Sequence, residues 1–551
     1  MNFLERILDG LLQEPDRTVL QEAWAGRVER ATCRELLAKV GRAHAFLRQA
    51  GLRKGARCVL LANNSIHWVA MDLAIMAEGI LKVPMYARQS PAELVKMMQD
   101  CSASLIVCGD EGLRAGITEH WSDPPPIHLL DEAIGSAPAS AGAGQRPVAL
   151  QDGDPVTILY TSGTSGDSKG VILNVGNLNH MLPCTLGRLD DLMQGFRGQE
   201  RVFHYLPFCF AGSWILLLSS LARRSLLTLA TDLDRLADQM KVASPHYFLN
   251  VPILLDRIRS GVDARMKGAG GLAYGLHRRA IVAWGRAQEG RRRVLDRLWL
   301  GLARVLVFRR VKRKISPNLV ALICGSAPLS ADTQRFFEMM GIPVLQVYGL
   351  TETTAICTMD RPQGPRQPGR VGYAVPGIEM KLSERDEILV RGPNVFAGYW
   401  ERPEETAACF RDGWFRTGDQ GEVDPGGNWR IIGRVTSVIV LSSGHNVAPD
   451  PIEERLRRAL PGAEQVLVVG HERKHLTAIV TGDVSAAQVD AALEELNPTL
   501  PHYERVRAYH IHEQPFSVEN GFLTANGKLK RRRVLEQLGP EIEVMYGGDG
   551  S

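Results

Sequence analysis

Apolar residues recur at helical spacing over 33–49, close into a solid run at 58–61, give way to a helix-like stretch over 65–80 and close up again at 104–108. Short apolar runs set between helix-like stretches predict parallel strands buried on both faces, with helices packed over them. The rhythm breaks at 135–146, where Ala, Gly, Ser and Pro dominate and predict a surface connection. It resumes with candidate strands at 156–160, 202–206, 226–229, 246–251, 319–324 and 344–348, each running into small or polar residues. Ligands of open α/β sheets bind beyond the carboxyl ends of the strands, so these loops are where chemistry is expected. Beyond Gly433 the chain carries fresh strand and helix signals at 465–469 and 486–495. The pattern therefore predicts a large domain over 1–433 and a smaller one over 434–551.

Composition supports a globular chain: 551 residues, 45% hydrophobic and 23% charged, are enough for more than one core. The first residues, MNFLERILDGLLQEPDR, place acids inside the apolar pattern and do not read as a secretory leader, and no charge-free apolar run approaches a membrane span. Nine cysteines stand singly without zinc-site spacing, so a reducing cytoplasm is expected.

Net charge is only +4, but it is unevenly spread. Residues 264–314 hold fifteen Lys and Arg against Glu289 and Asp296, a local +13 that leaves −9 on the rest. Within this insertion Leu295, Leu298, Trp299, Leu302, Val305 and Leu306 recur at helical spacing among Arg291, Arg292, Arg293, Arg297, Arg304 and Arg310. Such a helix fits peripheral contact with an anionic membrane, or packs on the main body with its charges solvated. Nothing around it resembles a nucleic-acid recognition module, so no nucleic-acid partner is expected.

The strand at 156–160 leads into Thr161, Ser162, Gly163, Thr164, Ser165, Gly166, Asp167, Ser168, Lys169 and Gly170. Glycines let backbone approach an anion, hydroxyls donate to phosphate oxygens, and Lys169 adds a cation. The spacing is not that of a Walker A loop. By itself such a segment also suits a plain Gly-Ser surface loop.

This loop resembles the signature of the adenylate-forming superfamily of acyl-CoA synthetases, luciferases and peptide-synthetase adenylation domains. Further motifs follow in that family's order: Gly325-Ser326-Ala327-Pro328-Leu329, Tyr348-Gly349-Leu350-Thr351-Glu352, Gly413 to Asp419, Ile432-Gly433-Arg434 and Asn526-Gly527-Lys528-Leu529-Lys530. The resemblance implies an α/β fold, with a large N-terminal domain of doubly wound sheets, a small β-barrel-like part, and a small mobile α+β C-terminal domain. It assigns residues 161–166 and Lys169 to the triphosphate of ATP, Thr351 with Glu352 to the phosphates, and Glu352 with Thr161 to Mg²⁺. Gly325, Ser326, Ala327 and Tyr348 fall at the adenine and Asp419 at the ribose hydroxyls, with Gly349 and Arg434 also in the implied ATP/AMP site. Lys528 is implied to bridge carboxylate and α-phosphate, so Lys528, Glu352, Thr161 and Lys169 are the expected catalytic set.

Ser443, Gly444 and His445 resemble the loop that lines the pantetheine tunnel for coenzyme A. The hinge departs from the family's pattern: Gly433-Arg434 is followed by Val435-Thr436-Ser437, without its lysine and acid. A carrier protein's pantetheine arm therefore stands beside coenzyme A as the implied acceptor, and a non-catalytic nucleotide- or acyl-binding homologue is the alternative of another class. The segment 202–214 resembles the acyl-pocket motif, with Phe208, Phe210, Gly212 and Trp214 as candidate lining. It contains no acid to pair a substrate ammonium, which points to a hydrophobic carboxylic acid, as in the long-chain fatty acyl-CoA synthetase branch.

Overall fold

The structure is a computed structural model. It describes residues 1–24, 27–135, 147–162, 168–269, 271–288, 291, 293–364, 366–518, 520–524 and 529–547. The expected connection therefore lies, after Gly135, outside the described residues.

Two large sheets share one layer of helices. In the first, Arg57–Leu61, Leu81–Met85, Leu105–Cys108 and Ile127–Leu129 run parallel, and Pro155–Ser162 joins beside Leu81–Met85. The second has a parallel half made of Thr18–Trp24, Leu226–Ala230, Arg201–His204, Tyr247–Asn250, Leu322–Cys324 and Val344–Tyr348. Successive side chains of a strand face opposite ways, and the cores follow that alternation. Cys58 and Leu60 enter the shared core, whereas Val59 and Leu61 pack beneath the outer helices Pro91–Asp100 and Glu111–His120. Val202 likewise joins the shared core, while Phe203 faces the outer helices of the second sheet.

Helices Cys33–Gln49, Ile66–Ala77, Val175–Leu192 and Ala211–Ala222 fill the space between the sheets. The first starts where Thr32 and Glu35 cap it reciprocally, at the end of the strand that delivers it. Helix Ile66–Ala77 is buried all round and so shows no amphipathic stripe.

The second sheet continues without interruption into antiparallel strands: Thr358–Met359, Gly372–Ala374, Asn428–Arg434, Trp414–Val423, Glu387–Arg391 and Glu379–Leu382. The expected barrel-like part is thus, among the described residues, an open antiparallel extension of the sheet. Polar residues such as Thr417, Asp419 and Glu387 occupy buried positions in its strands, so hydrophobic periodicity does not announce it. The C-terminal domain is α+β, with Ala463–Val469, Leu476–Gly482 and Val506–His512 forming a sheet between two small cores. It touches the large domain through Arg457 to Asp256 (3.2 Å), Arg458 to Asp332 (3.3 Å) and Lys530 to Glu93 (3.6 Å).

Among the described residues, the shared layer buries one ion pair completely. Asp72 and Lys82 are both fully buried and paired, the ammonium lies 3.6 Å from the centre of the Trp214 ring, and the Trp214 indole donates to Asp72 at 3.2 Å. Burial pulls the Lys82 ammonium down to about 8 and pushes the Asp72 carboxyl up, while their contact opposes both effects. Removing one partner strands the other in an apolar layer. Either Asp72→Ala or Lys82→Met is expected to cost about 3–5 kcal/mol in urea unfolding, and the double variant Asp72→Leu/Lys82→Met less than the two losses added.

His204 titrates in a way that equilibrium unfolding can follow. Its ring is fully buried against Phe208, 4.9 Å between centres, and burial lowers its pKa to about 3. The unfolded chain takes up that proton near 6.5, so stability is intact above this pH and falls by about 1.4 kcal/mol per unit as pH drops towards 3. Burial lowers His44 and His246 as well, in the same direction. A His204→Leu variant should lose less stability than wild type between neutral pH and mildly acidic pH; an equal loss would exclude this origin.

Candidate active site

The phosphate-type loop does not open a helix. Pro155–Ser162 turns back into Ser168–Asn174 as an antiparallel hairpin, with Thr161 opposite Lys169 and Ser162 opposite Ser168. Gly163, Thr164, Ser165, Gly166 and Asp167 lie outside the described residues, as does Lys528. The hairpin is braced at Tyr160, whose hydroxyl donates to Asp100 at 2.5 Å, and Asp100 also receives Arg402 at 3.1 Å. Gly170 allows the close crossing behind it: a Cβ there would stand 2.6 Å from Ile158.

Lys169 pairs with Glu405 and lies 5.3 Å from the centre of the Tyr399 ring. Hydrogen bonds from Lys169 and then Arg402 hold the Glu405 carboxyl below its usual range. The Tyr399 hydroxyl donates to Glu352 at 2.9 Å, and its ring packs edge-on against Phe396, 4.9 Å between centres. Phe396 in turn donates its backbone N–H to the Glu352 carbonyl at 2.8 Å. Burial, followed by the charge of Glu352, raises the Tyr399 phenol, which therefore stays a neutral donor. Three segments far apart in sequence thus present a cation, a phenol and a carboxylate side by side.

A second group sits at the ends of neighbouring parallel strands. Gly325 follows Leu322–Cys324, and a Cβ there would meet Val347 at 2.7 Å. Ser326 has a left-handed backbone (φ 72°), and both Ser326 and Ala327 are exposed. On the adjacent strand Tyr348 donates its hydroxyl to Asp419 at 2.8 Å. The other Asp419 oxygen meets Arg434 at 2.8 Å, across the strand pair that holds both residues. A carboxylate has about four acceptor positions, so Asp419 can hold these partners and still accept hydroxyls. Gly349 leaves no room for a side chain, since a Cβ would stand 2.3 Å from the Ala355 carbonyl oxygen. Thr351 opens the tight turn Thr351–Thr353, which presents Glu352.

Among the described residues there is no cluster of three or more His, Cys, Asp or Glu placed to hold a metal. A divalent ion at Glu352, with the Thr161 hydroxyl available, would complete its shell with phosphate oxygens and water. That is the habit of Mg²⁺, so the residues present fit it.

The other candidates are dispersed. Phe208 and Trp214 are packed on all sides in the shared core, whereas Phe210, 5.8 Å from the Tyr86 ring, and Gly212 keep partial exposure. Asn64 clamps this loop, donating to the Leu206 carbonyl at 2.8 Å and accepting from the Phe208 N–H at 2.9 Å. Ser443, Gly444 and His445 form an exposed turn of the small domain, the His445 ring stacked on Tyr503 at 4.4 Å. Sequence reasoning missed Tyr399 and Glu405, because neither lies in a recognisable motif; only the pairing of Gly398–Tyr399 with the phosphate hairpin brings them in.

Comparison with known proteins settles the family. Residues 10–400 match the model described as AMP-binding enzyme, and residues 436–549 match the AMP-binding enzyme C-terminal domain. The chain belongs to the AMP-binding, adenylate-forming enzyme superfamily. A relative named long-chain-fatty-acid–CoA ligase FadD15, from Mycobacterium bovis, is 28% identical, covering 99% of this chain and 97% of its own. Another, the Arabidopsis thaliana chloroplastic long-chain-fatty-acid–[acyl-carrier-protein] ligase AEE15, is 25% identical over 91% of this chain and 80% of its own. Among solved structures, ATP-bound MatB from Rhodopseudomonas palustris superposes with a TM-score of 0.74 at 25% identity, covering 98% of this chain and 99% of that one.

The chain is thus an adenylate-forming ligase, and the linkage from Tyr399 to Glu352 predicts a kinetic effect. Tyr399→Phe removes one hydrogen bond to a charged group, which corresponds to a roughly ten- to hundredfold loss in kcat/KM for ATP with folding intact. ATP-dependent pyrophosphate exchange and thermal melting together check it; unchanged exchange would remove Tyr399 from the site.

Proposed function

We propose that this enzyme activates a hydrophobic, fatty-type carboxylic acid with ATP and Mg²⁺, then transfers the acyl group to coenzyme A. The carboxylate oxygen attacks the α-phosphorus of ATP, the bond from that phosphorus to the bridging oxygen breaks, and pyrophosphate leaves with acyl-AMP formed. The thiol of coenzyme A gives up its proton to solvent, its sulfur attacks the acyl carbonyl, and the bond from that carbon to the phosphate oxygen breaks to release AMP.

The observation that carries this reading is the Lys169–Tyr399–Glu352 group, joined to the Tyr348–Asp419–Arg434 group by the short chain from Tyr348 to the turn that holds Glu352. The first group offers a lysine, held by Glu405 until phosphate competes for it, and an oxygen ligand for Mg²⁺; the second offers an aromatic face and ribose acceptors. Small residues at Gly325 to Ala327 leave room for a base. Bound Mg²⁺ would neutralise phosphate charge, a task no side chain here performs alone.

Lys528 is assigned to the transition state, where charge grows on the α-phosphate. The described residues beside it are firmly held: Leu523 bridges to Leu529, Lys530 donates to the Phe522 carbonyl at 2.8 Å, and Arg531 pairs with the partly buried Glu453 at 2.7 Å. Adenylation needs this segment at the phosphate site, and Lys530 reaches Glu93 on the helix whose Asp100 braces the phosphate hairpin; thioester formation needs a second pose of the small domain. The inter-domain ion pairs are partly exposed and individually weak, which makes reorientation inexpensive.

The FadD15 relatives support coenzyme A as acceptor, and the absence of acids in 202–230 supports an apolar acid. A carrier protein is the second reading, favoured by the altered hinge Val435-Thr436-Ser437 and by the AEE15 relative.

The test is to incubate the protein with ATP, Mg²⁺ and a graded panel of fatty and aryl acids, and to identify products by mass. Acyl-AMP with pyrophosphate is expected, becoming acyl-CoA when coenzyme A is added. Adenylate that persists with coenzyme A but is consumed by a pantetheinylated carrier protein would overturn the acceptor assignment, and no adenylate from any acid would overturn the whole reading. Lys528→Ala should slow adenylation about 10²- to 10³-fold; pyrophosphate exchange at wild-type rate would dismiss its role.

A further inference from the structure

The basic insertion folds as helices Pro252–Ala269, Gly271–Gln288, Val294–Ala303 and Arg309–Ile315, the last two joined by the π-helical turn Arg304–Phe308. One face of the segment from Val294 to Ile315 is buried on the main body, through Asp296, Leu300, Ala303, Val307 and Phe308. Asp296 is held there by Arg286 at 3.3 Å, which orients the helix. The opposite face is apolar as well. Val294 is 87% exposed and Val305 61%, and Leu295, Leu298, Leu302 and Leu306 are exposed with them. Steps of three and four residues align these side chains along one side of the helix. Trp299, grouped with them by helical spacing, turns aside beneath Arg279, whose guanidinium lies 4.4 Å from the ring centre.

A helix apolar on both faces is stable in water only when both are covered, and a contiguous exposed aliphatic patch marks a docking surface. What covers it is indicated by charge. Arg293 and Arg297 are exposed near its start, Arg309, Arg310, Arg313 and Lys314 are exposed beyond its end, and no acid occurs from Arg297 to Ile315. A second copy would bring the same positive charge against itself. A nucleic acid would meet the arginines but leave the aliphatic stripe wet.

We propose that this face docks on an anionic lipid bilayer. The stripe enters the boundary between headgroups and acyl chains, and the arginines and Lys314 engage lipid phosphates around it. On the activity proposed above, on which this purpose rests, docking would bring the enzyme to the phase in which a hydrophobic acid dissolves. No helix among the described residues is long and apolar enough to cross a membrane, so contact would be made from one side.

The full-length protein is sedimented, without ATP or acid, with vesicles of mixed phosphatidylglycerol and phosphatidylcholine, or of phosphatidylcholine alone. Strong binding to the anionic vesicles is expected, with weak binding to the neutral ones and release at high salt. Leu298→Asp/Leu302→Asp/Val305→Asp, confined to exposed positions, should weaken binding roughly tenfold or more, as should Arg309→Gln/Arg310→Gln/Arg313→Gln. Both variants should keep wild-type pyrophosphate exchange with a water-soluble acid. Failure to bind anionic vesicles, binding indifferent to the aspartates, or a wild-type dimer that the aspartates dissolve would overturn the proposal. Vesicle binding is read without turnover, so loss of docking with adenylation intact is distinct from loss of adenylation with docking intact.

Discussion

Burying one helical layer between two sheets is the constraint on which the rest of this structure depends. Strands such as Arg57–Leu61 and Leu105–Cys108 have apolar side chains on both faces, and only an arrangement that covers both is tolerable. The first sheet satisfies this with the shared helices on one side and Pro91–Asp100 and Glu111–His120 on the other. The second does so with the same shared layer and its own outer helices. The functional segments that follow Val156 to Tyr160, Leu322–Cys324 and Val344–Tyr348 all leave from the carboxyl ends of their strands. The site follows from burial before any of its residues interact.

The shared layer tolerates charge only in a closed arrangement. Asp72 and Lys82 neutralise each other while Trp214 contributes an N–H to one and a ring face to the other. Trp214 thereby belongs to the support of the acyl-motif helix, and the partly exposed Phe210 and Gly212 are left as the positions an acyl chain could meet. The same economy operates at the phosphate hairpin. Lys169 is paired with Glu405, so its charge is neutralised within the protein, and the phosphates of ATP would compete for it.

The two domains are coupled more loosely than either is built. Each has its own cores, while the described ion pairs between them are partly exposed and draw on side chains with freedom to move. The reorientation proposed above would therefore break little packing.

Much of the large domain was legible in the sequence because buried parallel strands and amphipathic helices write their own periodicity: 33–49 and 344–348 fall where the pattern puts them. The family was legible because the motif glycines and hydroxyls answer to local backbone demands, as Gly325 and Gly349 show by having no room for a Cβ. Strand Leu81–Met85 was hidden, since Lys82 and Pro84 break its apolar run, and Lys82 becomes admissible only opposite Asp72. Tyr399 and Glu405 were hidden for the same kind of reason. Their roles come from pairing with Glu352 and Lys169, distant along the chain, and a pattern of neighbours in sequence carries no record of which distant partner will neutralise a charge. The outward stripe of the basic insertion was visible as amphipathicity, but tertiary packing alone decided which apolar face the protein keeps and which it leaves in solvent.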